Sequence, residues 1–165
     1  MLTITGGKLT IYRVMAAQAL NAVSARLRGS PRFDHKMKAF EPLPKPAGSL
    51  EPECWEYLAG RYGRNVNALV SESPAKELAP IGDLPAQWAE LRWAARHEDV
   101  IHLDDLMLRR LRLGLTCKDG GQKLLPRIMS LVQKDLGWDD SRWESEVKRY
   151  RQIWGNYYSL PNSAG

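Results

Sequence analysis

A proline-rich segment before residue 50 limits the architecture that this chain can adopt. Prolines occupy positions 42, 44 and 46, and residues 40–49 show neither helical nor strand periodicity. Proline lacks a backbone N–H group and clashes with the preceding helical turn, so this segment cannot continue a helix. We therefore predict an extended linker. The predicted divisions are residues 1–40, a linker over 41–50, a folded domain over 51–158 and a tail over 159–165.

The apolar pattern after the linker is typical of helices. The last predicted helix begins at Asp139-Asp140-Ser141, and its apolar residues recur at alternating steps of four and three. All six tryptophans lie after residue 50, and aromatic residues at helical spacing mostly serve packing. We expect a mostly α fold, a small helical bundle with tryptophans in its core. Further helices are predicted from Pro52 to Tyr62, Asn65 to Val70, about Pro85 to His97, Leu103 to Leu113 and Leu125 to Leu136.

The N-terminal segment has the pattern of a strand, a turn and a helix. Leu2 and Ile4 alternate with threonines as at the end of a strand, and Gly6-Gly7 permits a sharp turn. Thr10 is a candidate N-cap. The helix that would follow carries apolar residues at Tyr12, Met15, Ala16, Ala19, Leu20, Val23 and Leu27.

This turn is a candidate anion site. Free backbone N–H groups and the partial positive charge of a helix N-terminus would meet there, and Lys8 adds a full charge. A Gly-Gly turn before a helix is most often only a turn. The pattern alone leaves both interpretations open.

The positive charge of the chain is unevenly distributed. The net charge is +5, and residues 1–50 hold eight Lys and Arg against two Asp and Glu. Residues 51–165 hold sixteen against seventeen. A nucleic-acid-binding helical domain usually carries a basic face on the folded domain itself. A small basic interaction or nucleic-acid-binding module is therefore the alternative, and the charge distribution argues against it.

The cysteines and histidines indicate neither a metal site nor a disulfide framework. Cys54 and Cys117 are far apart, which favours a reducing compartment and hence a cytoplasmic location. His35, His97 and His102 form no ligand motif. We predict no bound metal.

Charged residues cluster between Glu98 and Arg112. Asp105 precedes Arg109 by four residues, a spacing that allows an ion pair on one helix, and Glu98 would pair with an arginine if two helices cross. Surface pairs would contribute only about 0.3–0.5 kcal/mol each. A stronger hypothesis is an ion-pair network that fixes how two helices meet, or how this domain docks on a neighbour. Phosphate binding by the arginines is the least favoured option.

Five stretches of the chain occur in the order seen in one enzyme family. They are Gly6-Gly7-Lys8-Leu9-Thr10; Tyr57-Leu58 with Arg61-Tyr62-Gly63; Ala89-Glu90-Leu91 with Ala94-Ala95-Arg96-His97-Glu98; Leu103 to Arg112; and Leu136-Gly137-Trp138. With these stretches, nearly the whole chain resembles the C-terminal region of FAD-dependent glycerol-3-phosphate dehydrogenases and alpha-glycerophosphate oxidases. The chain departs from the family at three positions: the family favours Thr where this chain has Leu111, Ser or Thr where it has His102, and Thr where it has Ile11.

The resemblance implies oxidation of sn-glycerol 3-phosphate to dihydroxyacetone phosphate, with hydride transfer to FAD and electrons passed to a quinone or to oxygen. It implies cofactor-binding roles for Gly6, Gly7, Lys8, Leu9 and Thr10, and a catalytic role for Lys8 near flavin and substrate. Residues 1–40 would be the last strand, turn and helix of the FAD-binding domain.

The same resemblance leads us to expect a C-terminal fragment that neither holds FAD nor is active alone. Its expected partners are its own upstream FAD domain and, in the parent enzyme, glycerol 3-phosphate and a quinone, but no nucleic acid. Without that upstream domain, the apolar stripe of the first helix would pack against another surface. This surface would be either the helical domain or a second copy of the chain in a homodimer. The parent enzyme would be cytoplasmic or peripheral on the cytoplasmic face of the inner membrane.

Overall fold

The computed structural model describes residues 2–6, 8–26, 36, 38, 42–46 and 50–159. The chain divides into two compact units, Met1–Pro42 and Leu43–Gly165. The described residues are mostly helical, as predicted, and none of their helices combines the length and apolar composition of a membrane span. The α-helices in these ranges are α1 (Tyr12–Val23), α2 (Pro52–Tyr62), α3 (Val66–Glu72), α4 (Trp88–His97), α5 (Leu113–Thr116), α6 (Leu125–Val132) and α7 (Asp140–Tyr157).

Two predictions for the first unit are wrong. Residues 2–6 form no strand, because a strand needs the hydrogen bonds of a neighbouring strand and the described residues provide none. Thr10 is not an N-cap: it lies inside a 3-10 turn, Leu9–Ile11, that leads into α1. Ile11 is the residue before α1, and no side chain caps that end.

Helix α4 lies at the centre of the second unit, between two apolar clusters. On one side, Ala89 and Trp93 pack with buried residues of α2 and α3. On the other, Trp88 and Leu91 join the larger cluster, which includes residues of α6 and α7. The start of α4 is fixed at Gln87, whose N–H donates to Glu90 Oε1 at 2.7 Å and whose backbone carbonyl accepts from Glu90 N at 3.1 Å. Burial on both sides explains why this short helix is apolar around most of its circumference.

The tryptophans lie in or against the core, as predicted. Trp55, Trp88, Trp93 and Trp143 are buried, and Trp138 and Trp154 pack against the larger cluster. The start of α7 is also confirmed, because Asp139 accepts a 2.7 Å hydrogen bond from Arg142 N.

The helix predicted from Leu103 to Leu113 is instead π-helical over Asp105–Arg110. The N–H of Leu111 donates to Leu106 O at 3.1 Å, a spacing of five residues. Arg112 then adopts the left-handed conformation, with φ of 58°. This reversal ends the π-helical segment before α5 begins.

Helix α7 contacts both α5 and the loop that precedes α6. The hydroxyl of Tyr150 donates to Gly120 O, and Trp154 Nε1 donates to Gly114 O at 2.7 Å. Gly120 has a φ of 67°, and a Cβ atom there would lie 2.8 Å from the ring of Trp154. A glycine is therefore required at this position for conformation and for space.

Candidate functional site

The N-terminal turn carries the residues that the sequence singled out. Gly6 adopts a φ of 51°, which a glycine tolerates best, and Lys8 is extended, with φ of −71° and ψ of 144°. Lys8, Leu9 and Thr10 are all exposed. Gly7 lies outside the described residues. Gly6, Lys8, Leu9 and Thr10 thus form one short, accessible segment.

The geometry of this turn fits a negatively charged group. The N–H of Ile11 already donates to Lys8 O at 3.0 Å, whereas those of Leu9 and Thr10 stand at the helix start, where N–H groups lack intrahelical acceptors. No acidic residue occupies the first turn of either the 3-10 turn or α1. The positive end of the helix and the Lys8 ammonium are therefore not neutralised locally.

An open groove lies beside the turn in the same unit. It measures about 370 Å³ and lies between the extended residues 2–5 and α1, where Met15, Gln18, Ala19 and Ala22 form its wall. Tyr12 and Leu20 of the predicted apolar stripe are 54% and 39% exposed. Leu27, the last residue of that stripe, lies outside the described residues. The first unit thus exposes apolar surface along α1.

The ion-pair network predicted in the second unit is confirmed. Arg109 Nη1 lies 2.8 Å from Asp105 Oδ1, and Arg110 Nε lies 3.4 Å from Glu98 Oε2. The Arg110 guanidinium also donates to Asp99 O at 2.9 Å. Because these arginines are engaged by groups of the protein itself, the structure offers no support for their binding phosphate.

Asp104 is the buried centre of this network, which the sequence pattern did not indicate. Its carboxylate binds Arg109 Nη1 at 2.6 Å and Arg149 Nε, from α7, at 3.1 Å. Burial alone would raise the pKa of the Asp104 carboxyl, but the two arginines outweigh it and hold that pKa below its usual range. Asp104 therefore links the π-helical segment to α7 as a carboxylate.

Glu146 of α7 caps the helical turn that begins at Leu103. Its Oε2 accepts from Leu103 N at 3.0 Å, and its Oε1 lies 3.0 Å from His102 Nδ1 and 2.7 Å from Arg142 Nη2. Capping at His102 thus comes from a residue 44 positions later. No local spacing could have indicated it.

Three of the resembling stretches meet at Glu90. Tyr62 donates its hydroxyl to Glu90 Oε2 at 2.8 Å, and Arg61 Nε lies 3.1 Å from the same oxygen. Arg61 also donates to the carbonyl of Arg110. Burial raises the pKa of the Glu90 carboxyl. The cluster joins α2, α4 and the π-helical segment, which gives these stretches a structural role.

Two arginines of α4, Arg92 and Arg96, form a second ion-pair network that connects this helix to its neighbours. Arg92 binds the buried Glu77 carboxylate through two hydrogen bonds of 2.8 and 2.9 Å, and Arg92 Nη1 contacts Asp135 at 3.0 Å. The hydrogen bonds from Arg92 lower the pKa of the Glu77 carboxyl. Arg96 completes the network with a 3.0 Å contact to Asp135. These contacts are structural ion pairs, and within the described ranges no three His, Cys, Asp or Glu side chains are grouped as a metal site would require.

Comparison with known proteins gives one family. Residues 2–143 match the family described as the C-terminal domain of alpha-glycerophosphate oxidase. A glycerol-3-phosphate dehydrogenase of Mycobacterium leprae is 32% identical over 91% of this chain and 28% of its own length. The mitochondrial glycerol-3-phosphate dehydrogenase of Bos taurus is 28% identical over 97% of the chain and 24% of its own length. No solved structure matches. The chain thus spans about a quarter of the length of these relatives.

Proposed function

The chain belongs to the alpha-glycerophosphate oxidase C-terminal domain family, and we propose that it is the C-terminal part of a flavoprotein that oxidises sn-glycerol 3-phosphate to dihydroxyacetone phosphate. The observation that carries this proposal is the family match over residues 2–143, which includes the N-terminal turn. Relatives with glycerol-3-phosphate dehydrogenase names cover 91% and 97% of the chain. The exposed positive turn is the feature of the described residues that suits a flavin and a phosphorylated substrate.

We assign the residues of the turn to one edge of an FAD site. FAD, when bound, supplies the acceptor for the hydride. The N–H groups of Leu9 and Thr10 would donate to negative charge at that edge, supported by the positive end of α1. The left-handed conformation of Gly6 turns the backbone there, and we assign Gly7 the same role from the sequence alone. Lys8 would hold its ammonium near the flavin and the substrate, where it stabilises the phosphate or the developing charge.

We further propose how the rest of the chain is used. Residues 1–40 would complete an upstream FAD domain, which would cover the apolar face of α1, and residues 41–50 would link it to the helical domain over residues 51–158. Electrons would pass to a quinone or, as in the oxidases, to oxygen. The parent enzyme would work in the cytoplasm or at the cytoplasmic face of the inner membrane.

Flavin content tests this assignment. The 165-residue chain should purify without FAD, because one edge of a site cannot offset the entropy lost on binding. A longer polypeptide that includes the preceding domain should show flavin absorbance near 450 nm, roughly the maximum of the cofactor itself, and it should bleach on addition of glycerol 3-phosphate. Flavin bound to the short chain would contradict the incomplete site. A colourless longer polypeptide would contradict the flavoprotein.

The role of Lys8 can be tested in the longer polypeptide. Lys8→Ala should lower kcat/KM by about 10²-fold or more, as when a positioned charge is lost. Lys8→Arg should restore little, because a planar guanidinium does not replace a compact ammonium. Arg109→Ala is the control: it should lower thermal stability and leave the rate per folded molecule nearly unchanged. Full kcat/KM in Lys8→Ala, together with loss of activity in folded Arg109→Ala, would show that the site lies in the helical unit and that our assignment is wrong.

A further inference from the structure

The loop between α4 and the π-helical segment presents an apolar side chain to solvent. Ile101 is 67% exposed, the highest exposure of any large apolar residue that the structure describes between residues 50 and 150. Asp99, two residues earlier, is also exposed. Within the described part of the chain, its carboxylate makes no hydrogen bond or ion pair. The tip of this loop, residues 98–102, therefore offers one apolar group and one free negative charge.

The backbone of the loop is held on several sides by side chains from other elements. Asp105 Oδ2 accepts from the N–H groups of Ile101 and His102 at 3.1 and 2.9 Å. Arg110 donates to Asp99 O at 2.9 Å, and Arg142 donates to Ile101 O at 3.4 Å. The charged network around the π-helical segment thus fixes the loop that carries Ile101.

Because the loop is held in place, the exposed Ile101 is better suited to an interface than a single apolar residue on a mobile loop. Single apolar residues on a protein surface are ordinary. A preorganised loop, however, loses little conformational entropy on association, and a few residues that are fully buried in the partner contribute most of the binding free energy at an interface. Four hydrogen bonds connect Asp105, Arg110 and Arg142 to the backbone of residues 99–102, and they hold Ile101 in a defined position.

We propose that residues 98–102 form a docking loop that inserts Ile101 into an apolar pocket of the preceding part of the same polypeptide. The partner surface should carry Lys or Arg on the rim of that pocket, where it would meet Asp99. The proposal rests on the proposed function, because the occupant is the upstream domain. The chain covers 28% of the Mycobacterium leprae relative, so most of the length of such a protein lies outside the structure described above.

Thiol labelling measures this contact directly. Ile101→Cys is placed in a background in which Cys54 and Cys117 are replaced by serine, and folding is checked by circular dichroism. The labelling rate with a maleimide is measured in the 165-residue chain and in the longer polypeptide. Leu115→Cys, at a site that is 51% exposed, is the matched control. We expect labelling at position 101 to slow by about tenfold or more in the longer polypeptide, and labelling at position 115 to stay within about twofold, since burial in an interface core removes solvent access.

The outcomes separate the two proposals. Equal labelling of position 101 in both polypeptides, with flavin bound to the longer one, would overturn the docking loop and leave the flavoprotein assignment intact. If position 101 is already labelled slowly in the 165-residue chain, and its labelling rate rises on dilution, the occupant is a second copy of the chain. That result would overturn the intramolecular contact. A longer polypeptide without flavin would refute the proposed function. In the flavin-bound protein, Asp99→Asn should then speed labelling at position 101 if the rim carries the predicted cation.

Discussion

Asp104 offers the most quantitative test of the network that joins the π-helical segment to α7. Its carboxylate is 2% exposed and is bound by Arg109 and Arg149, whose side chains are 59% and 45% exposed. A hydrogen bond to a charged group contributes about 1.5–3 kcal/mol. Because both arginines regain water when the carboxylate is removed, we expect Asp104→Asn to lower the free energy of unfolding by about 1.5–3 kcal/mol in total. That corresponds to a decrease in Tm of about 3–12 °C for a chain of this size.

The pH dependence gives a second readout. Since the folded-state pKa of Asp104 is held below its usual value, its contribution to stability is full above the unfolded pKa of about 3.9. The contribution is lost as the pH falls through the folded-state pKa. The difference between wild type and Asp104→Asn should therefore be complete at pH 7 and shrink below about pH 4.

Urea unfolding followed by tryptophan fluorescence measures both quantities. Asp83→Asn is the matched control, because Asp83 is exposed and such surface changes stay within about 0.5 kcal/mol. Two results would refute the reasoning: an Asp104→Asn protein within about 0.5 kcal/mol of wild type at pH 7, or a difference that stays constant down to pH 3.

Three further changes test the packing of the helical unit. Gly120→Ala should lower the free energy of unfolding by about 2–4 kcal/mol, since it adds a steric clash to the strain of a positive φ. The control is Gly137→Ala, which has the same φ but open space around the added Cβ atom and should cost only about 1 kcal/mol. Equal losses of Tm in the two variants would contradict the clash. Arg92→Ala should lower the unfolding free energy by about 2–4 kcal/mol, measured in urea, because the buried carboxylate that Arg92 binds twice loses both hydrogen bonds; a change below about 1 kcal/mol would show that water replaces them. Burial raises the pKa of Glu90, so its contribution to stability is greatest below its unfolded pKa and is lost as the pH rises through the folded one. Glu90→Gln should accordingly become more stable relative to wild type as the pH rises from about 4 to about 8. A loss of stability relative to wild type over this range would contradict the raised pKa of Glu90.

Local sequence determined much of the secondary structure. The start of α7 follows from Asp139, whose side chain accepts from a backbone N–H three residues later. The pair of Asp105 and Arg109 follows from a spacing of four. Such features involve residues within one helical turn, so they can be identified from the sequence before the fold is known. The functional turn around Lys8 is local in the same sense, and its role remains a prediction.

The tertiary structure decided what connects distant residues. Leu2 and Ile4 carry a strand pattern, yet a strand exists only where another chain segment supplies its hydrogen bonds. The long-range contacts of Asp104 with Arg149 and of Glu146 with Leu103 could not be assigned from the sequence, because these partners lie 45 and 43 positions away. The π-helical register over Asp105–Arg110 was likewise not indicated by the sequence, and the Arg110 carbonyl at its end accepts from Arg61 of α2. The sequence by itself determined where helices form, whereas burial and pairing between elements decided which charged side chains hold them together.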